Sequence, residues 1–209
     1  MQIYDAAHAF GCTYKGKSLL GFGDISTCSF HATKIFHTVE GGAIVCNDEK
    51  MIRQLFWYRG FGHVHDDYFS VGINAKNSEL HAAMGLCLLP KIESIIECRK
   101  DLSQLYDSLL VTGKIYKPVG VNETAHNYGY YPVVFEDEIT LTKVREVLLQ
   151  NEVGTRRYFY PSLNELPFVE YQSCAISESV SRRVLALPLY YDLAPADIKH
   201  ICEIILTII

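Results

Sequence analysis

The sequence has no stretch approaching the roughly 18 uninterrupted apolar residues of a membrane-spanning helix. It opens Met1-Gln2-Ile3-Tyr4-Asp5, without the basic and apolar regions of a secretory leader. A CxxC pair is missing as well. The seven cysteines (Cys12, Cys28, Cys46, Cys87, Cys98, Cys174, Cys202) are odd in number and widely scattered. That argues against a disulfide framework and lacks the close spacing of a structural zinc site, so reduced buried thiols in a cytoplasmic protein are expected. Basic charge is not in excess either. A formal charge of -5 gives nucleic acid and anionic membranes no general attraction, which leaves room only for a local basic pocket. Neither an internal repeat nor a low-complexity segment appears. What is present is 209 residues, 49% apolar and 21% charged, enough to bury a core in one or two compact units.

Gln2-Ile3-Tyr4 reads as the end of a strand, followed by Asp5 and His8. In open α/β sheets functional side chains collect just beyond carboxyl strand ends, so both are well placed. Tyr14-Lys15-Gly16-Lys17 and Gly21-Phe22-Gly23-Asp24 read as turns. A strand over 25–30 runs into a polar turn with Ser29, His31, Thr33 and Lys34, and Gly41-Gly42 closes it before a second strand over 43–46. Asn47-Asp48-Glu49-Lys50 caps a helix over 51–58. The glycine-bearing loop 60–67 carries His63, His65 and Asp67. These are metal-ligand types without helix or strand spacing, so a mobile substrate-side loop is expected and no metal.

Asn77 or Ser78 caps a long amphipathic segment, apolar at Leu80, Met84, Leu88, Ile92, Ile95, Leu102, Leu105 and Leu109, which Pro90 ends or kinks. A boundary inside it divides the chain into 1–95 and 96–209. Beyond it come a strand over 128–135, whose Pro132 favours an edge, and a helix from Thr140 or Thr142 to 150. An aromatic, basic run fills 154–161, 173–185 reads as helical and 186–190 as extended, and Pro195 opens a last helix. The second part is thus a small α+β unit.

The constellation that carries chemistry is Asp5, His8, Ser29 and Lys34. A lysine amine beyond a strand end can condense with a carbonyl and move protons. A pyridoxal cofactor needs such a lysine, an acid for its pyridine nitrogen and donors for its phosphate. Asp5 suits the acid and Ser29 the phosphate. Residue by residue the other reading stays open: a solvated loop lysine, a strand-end capping aspartate, a turn hydroxyl and a hydrogen-bonded histidine.

DAAHAFG (5–11), GDISTCSFHATKIFHTVEGGAIV (23–45), YRGFGH (58–63), VGINAKNSELHAAMGLCLL (71–89) and RRYFYP (156–161) occur in that order and spacing. Together they resemble the DegT/DnrJ/EryC1/StrS family of sugar aminotransferases. The resemblance implies pyridoxal 5'-phosphate as cofactor and the fold-type I, aspartate-aminotransferase-like architecture. It also implies transfer of an amino group from a donor such as glutamate to a nucleotide-linked keto-deoxysugar, in deoxysugar and lipopolysaccharide biosynthesis. RRYFYP further resembles members acting on dTDP-linked 3-keto-6-deoxyhexoses or their 4-keto relatives. Carried over, Lys34 and Asp5 are the catalytic pair, and Asp5, His8, Ser29, Lys34 and Asn74 hold the cofactor. His63, Lys76, Tyr158 and Tyr160 face the sugar nucleotide. A homodimer with shared sites, or a complementing chain, is implied as partner, with no nucleic acid and no membrane. Family members run longer, so the resemblance is expected to be to their C-terminal portion, lacking the first half of the large domain. The expected fold is accordingly α/β, a partial aspartate-aminotransferase-like large domain with a small α+β C-terminal domain. The alternative is a catalytically inactive homologue or a structural partner subunit.

Overall fold

A computed structural model describes every residue from Met1 to Ile209. In chain order the first strands are β1 (Ile3–Asp5), β2 (Thr13–Tyr14), β3 (Lys17–Ser18), β4 (Ile25–Ser29) and β5 (Gly42–Cys46). Helix α1 (Glu49–Arg59), the short strands β6 (His63–Val64) and β7 (Asp67–Tyr68), and α2 (Glu79–Leu88) follow. Next come α3 (Ile92–Leu109), β8 (Ile115–Tyr116), β9 (Thr124–Ala125) and β10 (Tyr131–Phe135). The chain ends with α4 (Glu138–Gln150), α5 (Ala175–Arg183), β11 (Val184–Leu187) and α6 (Pro195–Ile208). Contacts divide it into two units: Met1–Ile96 with Val121–Asn127, and Glu97–Gly120 with Tyr128–Ile209.

The first unit is built on the sheet β1-β4-β5. β1 runs parallel to β4, pairing Ile3 with Ile25 and Asp5 with Thr27, while β5 returns antiparallel, pairing Ser29 with Gly42. Because β1 and β4 point the same way, Asp5 and Ser29 both finish at one edge of the sheet. The turn Lys15-Gly16 has both residues at positive φ, 50° and 72°. That is the two-residue hairpin geometry, and it folds β3 back on β2, whose other side takes β9 from more than a hundred residues away. Asp48 accepts the Met51 N–H at 2.9 Å to cap α1, and Ser78 accepts the His81 N–H at 3.4 Å to cap α2. The loop 60–67 is a hairpin, with His63 opposite Tyr68 and Val64 opposite Asp67.

The second unit holds the larger core. Its sheet runs β11-β10-β8, all antiparallel. β10 alternates: Tyr131, Val133 and Phe135 are buried and the residues between them less so, the period-2 signature of a half-covered strand. Leu141, Val144 and Leu148 on α4, and Ile198, Ile201, Cys202 and Ile205 on α6, repeat at helical spacing and close over it. Eighteen buried apolar residues form this cluster. Pro132 sits within β10, paired with Ala186, and Pro195 opens α6 at its first turn.

Candidate active site

The edge where β1 and β4 end carries the titratable cluster. Asp5 is the last residue of β1, and its carboxylate accepts the Ala7 N–H at 3.1 Å. The chain then turns tightly: Ala6 N–H reaches Thr27 O, Ala9 N–H reaches Ala6 O, and Cys12 N–H reaches Ala9 O. From this turn His8 projects, and its Nε2 accepts a hydrogen bond from the Lys34 amine.

Lys34 lies in a second turn, between β4 and β5, that side chains and backbone tie down together. His31 N–H donates to Ser29 Oγ at 3.3 Å, Lys34 N–H to His31 O at 2.9 Å, and Thr38 N–H to Phe30 O at 2.9 Å. Phe10, Phe30 and Phe36 pack beneath both turns, with ring centroids 4.4 to 5.9 Å apart. Gly41 has φ +152°, and a Cβ there would stand 2.3 Å from Thr38 Oγ1, so only glycine fits this return.

Electrostatics agree with the contacts. Desolvation of the His8 ring, then the Lys34 charge, hold His8 below its ordinary 6.5, with Asp5 pulling the other way. Burial pushes the Cys28 thiol up, against the Phe10 backbone N–H and Lys34 pulling down. Asp5, His8, Ser29 and Lys34 thus share one sheet edge. An amine beside a neutral imidazole, with a carboxylate and a hydroxyl nearby, can capture a carbonyl and pass protons.

Other residues singled out from the sequence stand elsewhere. Asn74 bridges to Gly60, and its neighbour Ala75 donates to Arg59 O at 2.9 Å, at the carboxyl end of α1. Lys76 sits 3.9 Å above the Phe61 ring and, with Arg59, Asn77 and His81, lines an open cavity of about 1030 Å³ against β5. His63 donates from Nδ1 to His65 O at 2.8 Å and lies 5.0 Å from the Tyr68 ring. No group of three or more His, Cys, Asp or Glu side chains is arranged to hold a metal ion. In the second unit Tyr158 Oη accepts from Arg156 at 2.6 Å, and the Arg157 guanidinium stacks 3.6 Å over Tyr160.

One residue at the site escaped the sequence reading. Asn127, buried to 8% exposure, donates its side-chain amide to His8 O at 2.9 Å and to Phe10 O at 2.7 Å. It lies 119 positions from His8 and in no motif. A polar residue ending an otherwise exposed loop carries no local signal of what it will bind.

The sequence pattern of the DegT/DnrJ/EryC1/StrS aminotransferase family matches residues 1–206. The dTDP-4-amino-4,6-dideoxy-D-glucose transaminase of Shigella dysenteriae is 34% identical over 97% of this chain and 58% of its own length. Among solved structures, DesI in the presence of its TDP-sugar product superposes with a TM-score of 0.88 at 30% identity, over 97% of this chain and 54% of that one. The PLP form of the sugar aminotransferase Spr1654 from Streptococcus pneumoniae gives a TM-score of 0.86 at 23% identity, over 99% and 57%. This chain therefore spans a little over half the length of the curated relatives it matches.

Two expectations are corrected by these matches. The resemblance was expected to be to a C-terminal portion lacking half a domain, but family membership extends over nearly the whole chain, residues 1–206. The aspartate-aminotransferase-like large domain beside the small α+β C-terminal domain was expected to be partial, but the fold-type I aminotransferase-like α/β arrangement spans almost all residues. The motifs that carry the resemblance, from 5–11 to 156–161, all lie inside that match. The match continues through the second unit's sheet and nearly to the end of α6.

Proposed function

The chain belongs to the DegT/DnrJ/EryC1/StrS aminotransferase family, and from that premise we propose that it is a pyridoxal 5'-phosphate-dependent aminotransferase. Its substrate is a keto-deoxysugar linked to a nucleotide of the dTDP type, and glutamate is its amino donor. The observation that carries this is the Lys34 amine against His8, with Asp5 beside them at the common edge of β1 and β4.

The donor set fits the cofactor. Lys34 offers an amine for its carbonyl carbon, Asp5 a carboxylate for its pyridine nitrogen, Ser29 a hydroxyl for its phosphate, and His8 an imidazole beside the amine. When bound, the cofactor supplies a carbonyl and an electron-withdrawing ring. Lys34 holds and releases the proton at Nζ, His8 receives it at Nε2, and Asp5 keeps a negative charge where a protonated ring nitrogen needs one. Asn74, bridged to Gly60 just past the end of α1, is assigned to the cofactor phosphate of a neighbouring copy. His63, Lys76, Tyr158 and Tyr160 are assigned to the sugar nucleotide, in a homodimer whose first unit carries the cofactor and whose second is the small domain. Support for the dTDP type comes from the dTDP-sugar transaminase at 34% identity and from DesI with its TDP-sugar product at 30%.

The test is amino transfer by the purified chain with added cofactor, from glutamate to dTDP-, GDP- and UDP-linked 4-keto-6-deoxyhexoses. Transfer with the dTDP sugar preferred is the expected result. Folded protein that binds the cofactor and transfers to none of the three overturns the activity. A purely structural role is the alternative, favoured by the five buried apolar residues of the first unit against eighteen in the second. Turnover by the chain would end it.

A further inference from the structure

Among the remaining cavities and clusters, the one with a defined consequence is the clamp that Asn127 makes on the turn after β1. Its amide reaches two carbonyls, those of His8 and Phe10, on either side of Ala9. Its backbone N–H faces the Cys12 sulfur. Gly11, at φ +78°, lies so close that a Cβ there would stand 3.6 Å from the Asn127 Cβ and 2.9 Å from Ile96 Cδ1. The clamp is itself anchored, because β9, two residues before Asn127, pairs Ala125 with Thr13 and Thr124 with Tyr14 of β2.

We infer that Asn127 is a positioning residue for the Lys34 amine: it fixes the backbone from which His8 reaches Lys34. The inference rests on the reading of Lys34 as the reactive amine. Two carbonyls held by one amide cannot rotate independently, so the His8 Cα and the direction of its ring are set. Without the clamp, two partly buried carbonyls lose their partner and the turn is free to swing toward water. His8 then leaves Lys34, and the amine loses the imidazole that orients it and accepts its proton. The charged and titratable groups facing His8 are Lys34 and Asp5, and Cys28 faces Lys34 from β4.

The test is the titration of the His8 Cε1–H followed by NMR in the 209-residue chain and in Asn127→Ala. In the native chain the midpoint is expected below the ordinary 6.5, because burial and the Lys34 charge both disfavour the imidazolium, and in Asn127→Ala it is expected to rise toward that value as the ring moves away from Lys34. A second arm measures the rate at which pyridoxal 5'-phosphate plus borohydride labels Lys34. Asn127→Ala and His8→Ala each slow labelling on the order of tenfold, and the double variant is no slower than either, as a shared path requires. An unchanged His8 midpoint in folded Asn127→Ala, or losses that multiply in the double variant, overturns the inference. If Asn127→Ala does not fold, Asn127→Leu, of similar size and with no side-chain donor, replaces it, and an unchanged midpoint there is equally contrary. Failure of the native chain to label Lys34 at all counts against the functional reading, while the His8 midpoints still judge the clamp.

Discussion

The two units have nearly equal lengths and very different interiors. The second buries eighteen apolar side chains in one cluster, on a sheet covered by amphipathic helices. The first buries five, Ala6, Cys12, Ile25, Cys28 and Phe36. Its β1 leaves Ile3 at 58% and Tyr4 at 46% exposure, and α1 buries no residue at all. Yet the first unit carries Asp5, His8, Ser29 and Lys34. Its order comes from turns, caps, an aromatic trio and the Asn127 clamp more than from a hydrophobic interior. A reactive amine needs access to its carbonyl, and short strand-end turns provide that where a packed core does not. The consequence is uneven stability, with the first unit opening at lower free-energy cost than the second.

The largest contrast is expected from core truncation. Phe135→Ala, at zero exposure in the second unit, is expected to cost about 3–5 kcal/mol in a urea titration followed by far-UV circular dichroism. The emission of Trp57, the single tryptophan, stacked on Phe69 in the first unit, reports the other half separately. An equal shift in its transition would mean the two units unfold as one, and the contrast in stability would fail. Next in size is helix capping in the first unit. Ser78→Ala removes the acceptor for the His81 N–H and is expected to cost about 0.5–2 kcal/mol by the Trp57 signal. Truncating the apolar face of α1 is expected to do less. Phe56 is 54% exposed, so Phe56→Ala stays within about 0.5 kcal/mol in the isolated chain. A cost of several kcal/mol would show that this face is covered in solution.

The smallest expected effect is a pH dependence. His8 is held below 6.5 in the folded chain, so the unfolded chain binds its proton first as pH falls. Stability of the first unit is therefore undiminished above 6.5 and declines between 6.5 and the lowered folded value. The same protonation places two cations together and releases Lys34 from His8. Trp57-monitored melts between neutral pH and pH 5 are expected to fall slightly in the native chain and to stay flatter in His8→Ala. A steeper fall in His8→Ala would contradict the assignment.

Many of the local elements were legible in the sequence, and the rest was hidden for identifiable reasons. Lys15-Gly16 announced a turn, which proves to close a hairpin, and Asn77 or Ser78 and Pro195 announced helix starts through capping and fixed φ, with Ser78 the cap that forms, all local effects. The helix expected over 173–185 ends at Arg183, and Val184 begins β11. A short apolar run such as Val184-Leu185-Ala186-Leu187 has no period long enough to separate helix from buried strand. The expected loop 60–67 contributes to a hairpin over residues 63–68, whose turn carries His65 at positive φ, 52°, a conformation its side chain does not dictate. At the site, strand ends could be read, so Asp5, His8, Ser29 and Lys34 could be grouped. The His8 to Lys34 contact and the Asn127 clamp are tertiary and leave no mark on neighbouring residues.

The most direct measurement of the central claim is peptide mapping after pyridoxal 5'-phosphate and borohydride are added to the folded chain. The account predicts a single dominant pyridoxyl group on Lys34, formed with a visible absorbance that disappears on reduction and absent in Lys34→Ala. Label distributed over surface lysines with Lys34 spared, or no label on a chain shown to be folded, would contradict it.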